Sequence, residues 1–199
     1  MKHKSNKGLA KIKLIPEKFK TIFSSEFQFL ITGEFKKAST LKKKLQSIKN
    51  CENKILVLRV KKLINELSEA VEVAKKFCRK KNIPLMLNIP DKFSFNADGF
   101  HLSSNEIECD HFPPEKIKGV SCHTEDEVKK AILLNYDYIF LSPVVRKNGV
   151  SGMGWQAFLS IKGKYPDKII VPLGGINESN TMQNSFAGIS HWWDPQKSQ

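Results

Sequence analysis

Residues 117–144 read IKGVSCHTEDEVKKAILLNYDYIFLSPV, and the order of residue types in that stretch predicts strand, helix, strand. Ile117 to Ser121 is a short apolar and small-residue run bounded by turn formers, which suits a buried strand. Thr124 follows with a hydroxyl able to cap a helix start, and Glu127 stands three positions on, the spacing of a capping box. Val128, Ala131, Ile132 and Leu134 then recur at helical spacing and are expected to line the inner side of that helix. Asn135 and Asp137 bracket a short connection into Tyr138 to Val144, which is apolar enough for a strand buried on both faces. Two such strands joined through a helix run parallel, and the crossover is right-handed.

The same rhythm extends in both directions. Apolar runs stand at Phe27 to Thr32, Ile55 to Val60, Pro84 to Leu87, Gly99 to Leu102, Ile169 to Leu173 and Gly188 to Trp192. Leu67, Ala70, Val71, Ala74 and Phe77 form one helical face, while Glu66, Glu69, Lys75, Lys76 and Arg79 point outward. With the two strands above, this predicts an α/β chain folded as a small (β/α)8 barrel with some shortened or missing helices. Such barrels typically take about 250 residues. Here residues 88–97 leave room for only a turn or two of helix, and little chain follows the eighth run. A doubly wound open sheet would need a glycine-rich phosphate loop after the first strand, and Thr32-Gly33-Glu34-Phe35 is not one. Residues 1–26 read as a basic extension, 27–193 as the barrel and 194–199 as a tail.

Lys plus Arg number 33 against 20 Asp plus Glu, a net charge of +13 that favours anionic partners. Neither zinc-finger spacing nor an RNA-binding aromatic pair is present, so nucleic acid is not an expected partner. No apolar run is long enough to cross a bilayer and the basic start lacks the apolar core of a secretory signal, so a cytoplasmic protein without membrane partners is expected. Cys51, Cys78, Cys109 and Cys122 lack metal-ligand spacing and read as small buried thiols.

In a barrel, polar residues at strand C-terminal ends face a common mouth. Alternation sends Arg59 and Lys61 to one side, where two cations suit a phosphate or diphosphate; paired surface cations are the alternative. Asn88 ends the third strand and either bonds a ligand or caps a turn. Glu106, after the fourth, offers oxygen to a magnesium ion or merely solvates a loop, and His101 reads as a packed histidine. Ser121 and His123 share a face, but a phosphate or ring hydrogen bond from Ser121 fits better than nucleophilic catalysis, since no third orienting residue is identifiable. Arg146 and Lys147 open a glycine-rich loop able to fold over a charged ligand. Gly174 and Gly175 end the seventh strand, where bare backbone N–H groups and a following short helix could receive a phosphate. Trp192 and Trp193 cannot both face the interior.

Four motifs in order, Gly99-Phe-His-Leu-Ser-Ser, Gly119-Val-Ser-Cys-His-Thr-Glu-Asp-Glu-Val, Asp137-Tyr-Ile-Phe-Leu-Ser-Pro-Val and Pro172-Leu-Gly-Gly-Ile-Asn, resemble the thiamine phosphate synthase/TenI family. The resemblance runs from about Phe27 to Trp193. It is nearest to the synthase-like domain found fused to Nudix hydrolases, through Ser121-Cys122-His123, Gly154-Trp155 with Phe158 and the tryptophan-terminated end; no Nudix region is present, and the barrel is expected to stand alone.

The resemblance implies a transferase that couples hydroxymethylpyrimidine diphosphate with thiazole phosphate, giving thiamine phosphate and diphosphate with Mg2+ assisting. It places Arg59 and Lys61 on the diphosphate, with Val57 where the family has a glutamine. Asn88 keeps the asparagine of an Asn-Asp pair, but Ile89 replaces the magnesium-binding aspartate, leaving Asp91 as a nearby substitute and Glu106 as the other metal carboxylate. Ser121 falls at the serine that approaches the diphosphate, Lys147 at the loop lysine, and Gly174 and Gly175 at the thiazole-phosphate glycines. Phosphorylated pyrimidine and thiazole molecules are therefore the expected partners, and pairing into a homodimer stays open. Two alternatives use the same barrel. One is a TenI-like thiazole tautomerase or salvage enzyme, which needs neither diphosphate nor magnesium; the other is a phosphate-ligand-binding barrel without turnover.

Overall fold

The computed structural model describes residues 26–61, 65–109, 111–145, 149 and 151–189. The basic extension up to residue 25, Arg146, Lys147, Trp192, Trp193 and the 194–199 tail lie outside them. In chain order the elements are β1 (Gln28–Ile31), α1 (Ala38–Ser47), β2 (Lys54–Arg59), α2 (Leu67–Lys81), β3 (Leu85–Asn88), β4 (Gly99–Leu102), β5 (Ile117–Cys122), α3 (Glu125–Leu133), β6 (Tyr138–Leu141), α4 (Gly154–Lys164), β7 (Ile170–Pro172) and β8 (Phe186–Gly188). Single 3-10 turns at Lys92–Ser94 and Ser104–Glu106 replace α-helices on either side of β4. The eight strands form one parallel sheet in the order β7-β6-β5-β4-β3-β2-β1-β8, so β8 returns to β1. No ladder joins β7 to β8 among the described residues, although the two lie side by side, and the sheet is a nearly closed barrel.

Alternation along each strand divides the core in two. Phe29, Ile31, Ile55, Val57, Met86, Ile117, Tyr138, Phe140, Val171 and Ala187 point into the barrel. Leu30, Leu56, Leu58, Leu85, Leu87, Phe100, Val120, Ile139 and Leu141 point out, under the helices. Aromatic rings fill the interior: Phe29 stacks on Tyr138 at 4.7 Å and meets Phe140 edge-on at 4.8 Å. Gly119 makes that possible, because a Cβ there would lie 2.1 Å from Cζ of Tyr138. The middle of the barrel is therefore packed, and any ligand site is pushed to an end.

The helices follow the expected patterns with informative exceptions. α2 buries Leu67, Ala70, Val71, Ala74 and Cys78, with Phe77 partly covered, and ends where Asn82 turns left-handed at φ 52. The Thr124 hydroxyl accepts from the Glu127 N–H at 3.2 Å, but the Glu127 carboxylate accepts from His123 N–H and so closes the box one residue early. Leu134 is 38% exposed, because α3 ends at Leu133 and the chain leaves the helical track.

Three boundaries differ from the sequence reading. No element was expected between the first two strands, yet α1 forms there and buries Ala38, Leu41 and Leu45 against α2. β6 stops at Leu141, not Val144, because Pro143 has no N–H with which to extend the ladder. β8 spans Phe186–Gly188 instead of Gly188 to Trp192: Gln28 pairs with Phe186 and Leu30 with Gly188. The β1 register fixes the strand there, and the bulky residues beyond Ser190 lie outside the described residues.

Candidate active site at the barrel mouth

The C-terminal ends of the strands open into a cavity of about 680 Å³. Inward-facing positions reach it from nearly every strand: Ile31 from β1, Arg59 from β2, Asn88 from β3, His101 from β4, Ser121 from β5, with Ser142, Leu173 and Ile189 just past β6, β7 and β8. Lys61, Lys92, Glu106, His123 and Gly174 complete the polar part of the wall.

Arg59 is held by its backbone. Its N–H donates to Thr32 Oγ1 at 2.8 Å, and the same hydroxyl donates to Arg59 O at 3.2 Å, which ties the end of β2 to β1. Burial lowers the guanidinium pKa and Glu34 opposes that, but an arginine stays charged. Lys61 is exposed at the rim, and both cations line the cavity as alternation requires. Asn88 Nδ2 donates to the His101 carbonyl at 2.7 Å, so this amide also fastens β3 to β4.

His101 is 3% exposed and sits at the centre of a side-chain chain. Its Nδ1 lies 3.0 Å from the Tyr138 hydroxyl and its Nε2 2.9 Å from Ser121 Oγ. Burial first, then the charges of Arg59 and Lys92, push its pKa down to about 3, and the imidazole is neutral. A neutral ring carries one N–H. With that proton on Nε2, the Tyr138 hydroxyl donates to Nδ1, Ser121 Oγ accepts, and the serine keeps its own proton for a ligand. Ser121 thus pairs with His101 from the next strand. His123 instead turns its Nδ1 to the Ser142 carbonyl at 2.8 Å.

On the β3–β4 side, Lys92 Nζ lies 2.6 Å from Glu106 Oε1. Glu106 Oε2 accepts from Ser103 N–H at 2.9 Å and Ser103 Oγ at 3.0 Å. Burial raises the Glu106 pKa, but Lys92 and Ser103 outweigh it, and the carboxylate is held below its usual range. Asp91 is exposed at a left-handed φ of 47 and does not line the cavity, although Pro90 and Lys92 on either side of it do. A magnesium ion needs oxygen ligands with free lone pairs in a near-octahedral set. Glu106 is the one carboxylate among the residues lining the cavity and is paired with Lys92, Asp91 does not line it, and Ile89 presents an apolar side chain, so the residues present do not make up the carboxylate pair that would hold that ion. Among the described residues no group of three or more His, Cys, Asp and Glu side chains could hold a metal. Sequence reasoning missed Lys92, which carries no mark of its own in a chain with 33 Lys plus Arg.

Across the mouth, Gly174 and Gly175 both adopt left-handed φ, 94 and 68. A Cβ on Gly174 would come within 2.9 Å of Pro143. Among the described residues neither glycine donates its N–H to the protein, and Gly174 lines the cavity. The short helix expected to follow is a turn: Asn177 Oδ1 accepts from Ser179 N–H at 2.9 Å and Asn180 N–H at 3.1 Å. The asparagine side chain takes the donors that a helix start would have offered.

Fold and site define a (β/α) barrel whose mouth is lined by Arg59, Lys61 and Lys92. The family model described as thiamine monophosphate synthase matches residues 28–192, and the chain belongs to that family. A thiamine-phosphate synthase of Vibrio campbellii is 26% identical over 81% of this chain and 84% of its own length. One from Persephonella marina is 32% identical over 58% of this chain and 59% of its own. Among solved structures, the thiamine phosphate pyrophosphorylase of Pyrococcus furiosus superposes with a TM-score of 0.63 at 20% identity, covering 83% of this chain and 86% of that one, a likeness of fold. No described helix is long and apolar enough to cross a membrane.

Proposed function

We propose that the chain is a transferase of the thiamine phosphate synthase type, joining hydroxymethylpyrimidine diphosphate to thiazole phosphate. The observation that carries this reading is the division of one cavity between a cationic arc, with Arg59, Lys61 and Lys92, and a glycine backbone at Gly174, which Gly175 follows at a left-handed φ. The reaction needs both. As the carbon–oxygen bond of the pyrimidine substrate breaks, its electron pair leaves with the diphosphate and the carbon becomes positive. The thiazole nitrogen supplies the pair for the new carbon–nitrogen bond, and no proton has to be removed. Arg59 and the Ser121 hydroxyl stabilise the charge that grows on the departing oxygens. The glycine N–H groups hold the thiazole phosphate at the far side, and Leu173 and Ile189 offer apolar surface to the rings.

Lys147 falls outside the described residues, and its role on the diphosphate remains part of this proposal. So does kinship with synthase-like domains fused to Nudix hydrolases, supported by Ser121-Cys122-His123 and by Trp155 packed edge-on against Phe158 at 5.7 Å. A TenI-like tautomerase is the second reading, favoured by Ile89 and by the engagement of Glu106. The purified chain, incubated with both substrates and assayed for thiamine phosphate by chromatography, decides between them. Product is the expected result, and thiazole phosphate binding without product would favour the second reading.

A further inference from the structure

Lys92 is not an ordinary surface lysine. It is 8% exposed, lines the cavity and directs Nζ at Glu106 Oε1 from 2.6 Å. Glu106 cannot swing away freely, because its other oxygen caps Ser103 through two hydrogen bonds. The carboxylate therefore fixes the ammonium in place. An ammonium has three N–H donors, and the hydrogen bond to Glu106 uses one of them. The cavity side of Lys92 is shared with Arg59 and Lys61, the other cations of the same wall.

A divalent ion that assists a diphosphate works by standing between a protein carboxylate and the ligand's oxygens, so that charge alternates along the line. The order Glu106, Lys92, ligand reproduces that alternation with a covalently attached cation. We propose that Lys92, anchored by Glu106, is the built-in cation of this mouth, and that the site binds a diphosphate without a divalent metal. This rests on the reading of the mouth as a diphosphate site, and deepens it by removing the metal requirement.

The test is calorimetric titration of the full chain with inorganic pyrophosphate, in EDTA and again with excess magnesium. Binding in EDTA is expected, changing by no more than about threefold when magnesium is supplied. Lys92→Ala is expected to weaken binding in EDTA by about tenfold or more. Magnesium is then expected to restore part of it, since Glu106 is released to take a metal. Glu106→Gln, which keeps the lysine, is expected to bind in EDTA, and thermal melts of both variants report whether they fold. Wild-type binding that appears only with magnesium overturns this inference while leaving the diphosphate site intact. Unchanged binding by a folded Lys92→Ala variant in EDTA overturns it in the same way. No pyrophosphate binding under either condition overturns the site reading as well.

Discussion

The β2–β5 arc of the mouth is tied together by side-chain hydrogen bonds, whereas the β6–β8 arc is walled largely by Pro143, Leu173, Ile189 and the Gly174 backbone. In the first arc Asn88 holds the His101 carbonyl, His101 holds Ser121, and Glu106 holds Lys92, so these groups are oriented by neighbouring elements. In the second arc the chain turns through two left-handed glycines, Gly174 and Gly175, and Gly174 lines the mouth. Charge on flexible side chains needs partners to hold it still, while backbone donors are already fixed by the fold. Under the proposed function, the first arc would receive the group that gains charge and leaves, and the second the phosphate that stays put.

The contrast can be broken at several points. Arg59→Ala removes the main cation of the first arc and is expected to lower kcat/KM for thiamine phosphate formation by about 10² to 10³-fold. Binding of thiazole phosphate should be little changed, and equal loss of both would contradict the division. Gly174→Ala strikes the other arc. The φ of 94 and the 2.9 Å approach to Pro143 make it cost about 1–3 kcal/mol of stability. The thiazole phosphate Kd is expected to rise while pyrophosphate binding persists, which calorimetry on the folded fraction reads directly.

His101 offers a sharper test through pH. Its folded pKa of about 3 lies below the ordinary 6.5, so the unfolded chain binds the extra proton between those values. Stability from this group is present above pH 6.5 and is lost as pH falls toward 3, with a slope up to about 1.4 kcal/mol per unit. Urea midpoints of His101→Gln followed across that window are expected to show a shallower acid limb than wild type. An unaltered slope would mean that the imidazole does not carry this linkage. Ser121→Ala, which removes one hydroxyl donor and leaves Arg59 in place, is expected to have the smallest effect, about tenfold in kcat with thiazole phosphate binding unchanged.

Much of this was legible in the sequence because the barrel's logic is local. Apolar runs marked seven of the strands to within a few residues, and the Thr124 to Glu127 spacing marked the start of α3. Period-two alternation put Arg59 and Lys61 on one wall. What escaped was set by contacts between distant segments. β8 has only Phe-Ala-Gly as its sequence and takes its place from pairing with β1. α1 hides Ala38, Leu41 and Leu45 among lysines, although their three-and-four spacing was available as a signal. Ser121 finds His101, twenty positions away, because neighbouring strands align them, and the nearer His123 is drawn to Ser142. The Lys92–Glu106 pair joins two turns flanking β4, and no local pattern announces it.

The most direct test of a mouth divided into two subsites is titration of thiazole phosphate into protein already saturated with inorganic pyrophosphate. The expected result is binding of the thiazole phosphate with unchanged stoichiometry, each anion on its own arc. Competitive displacement of one by the other would contradict the account, since a single shared anion site cannot hold both partners of a transfer.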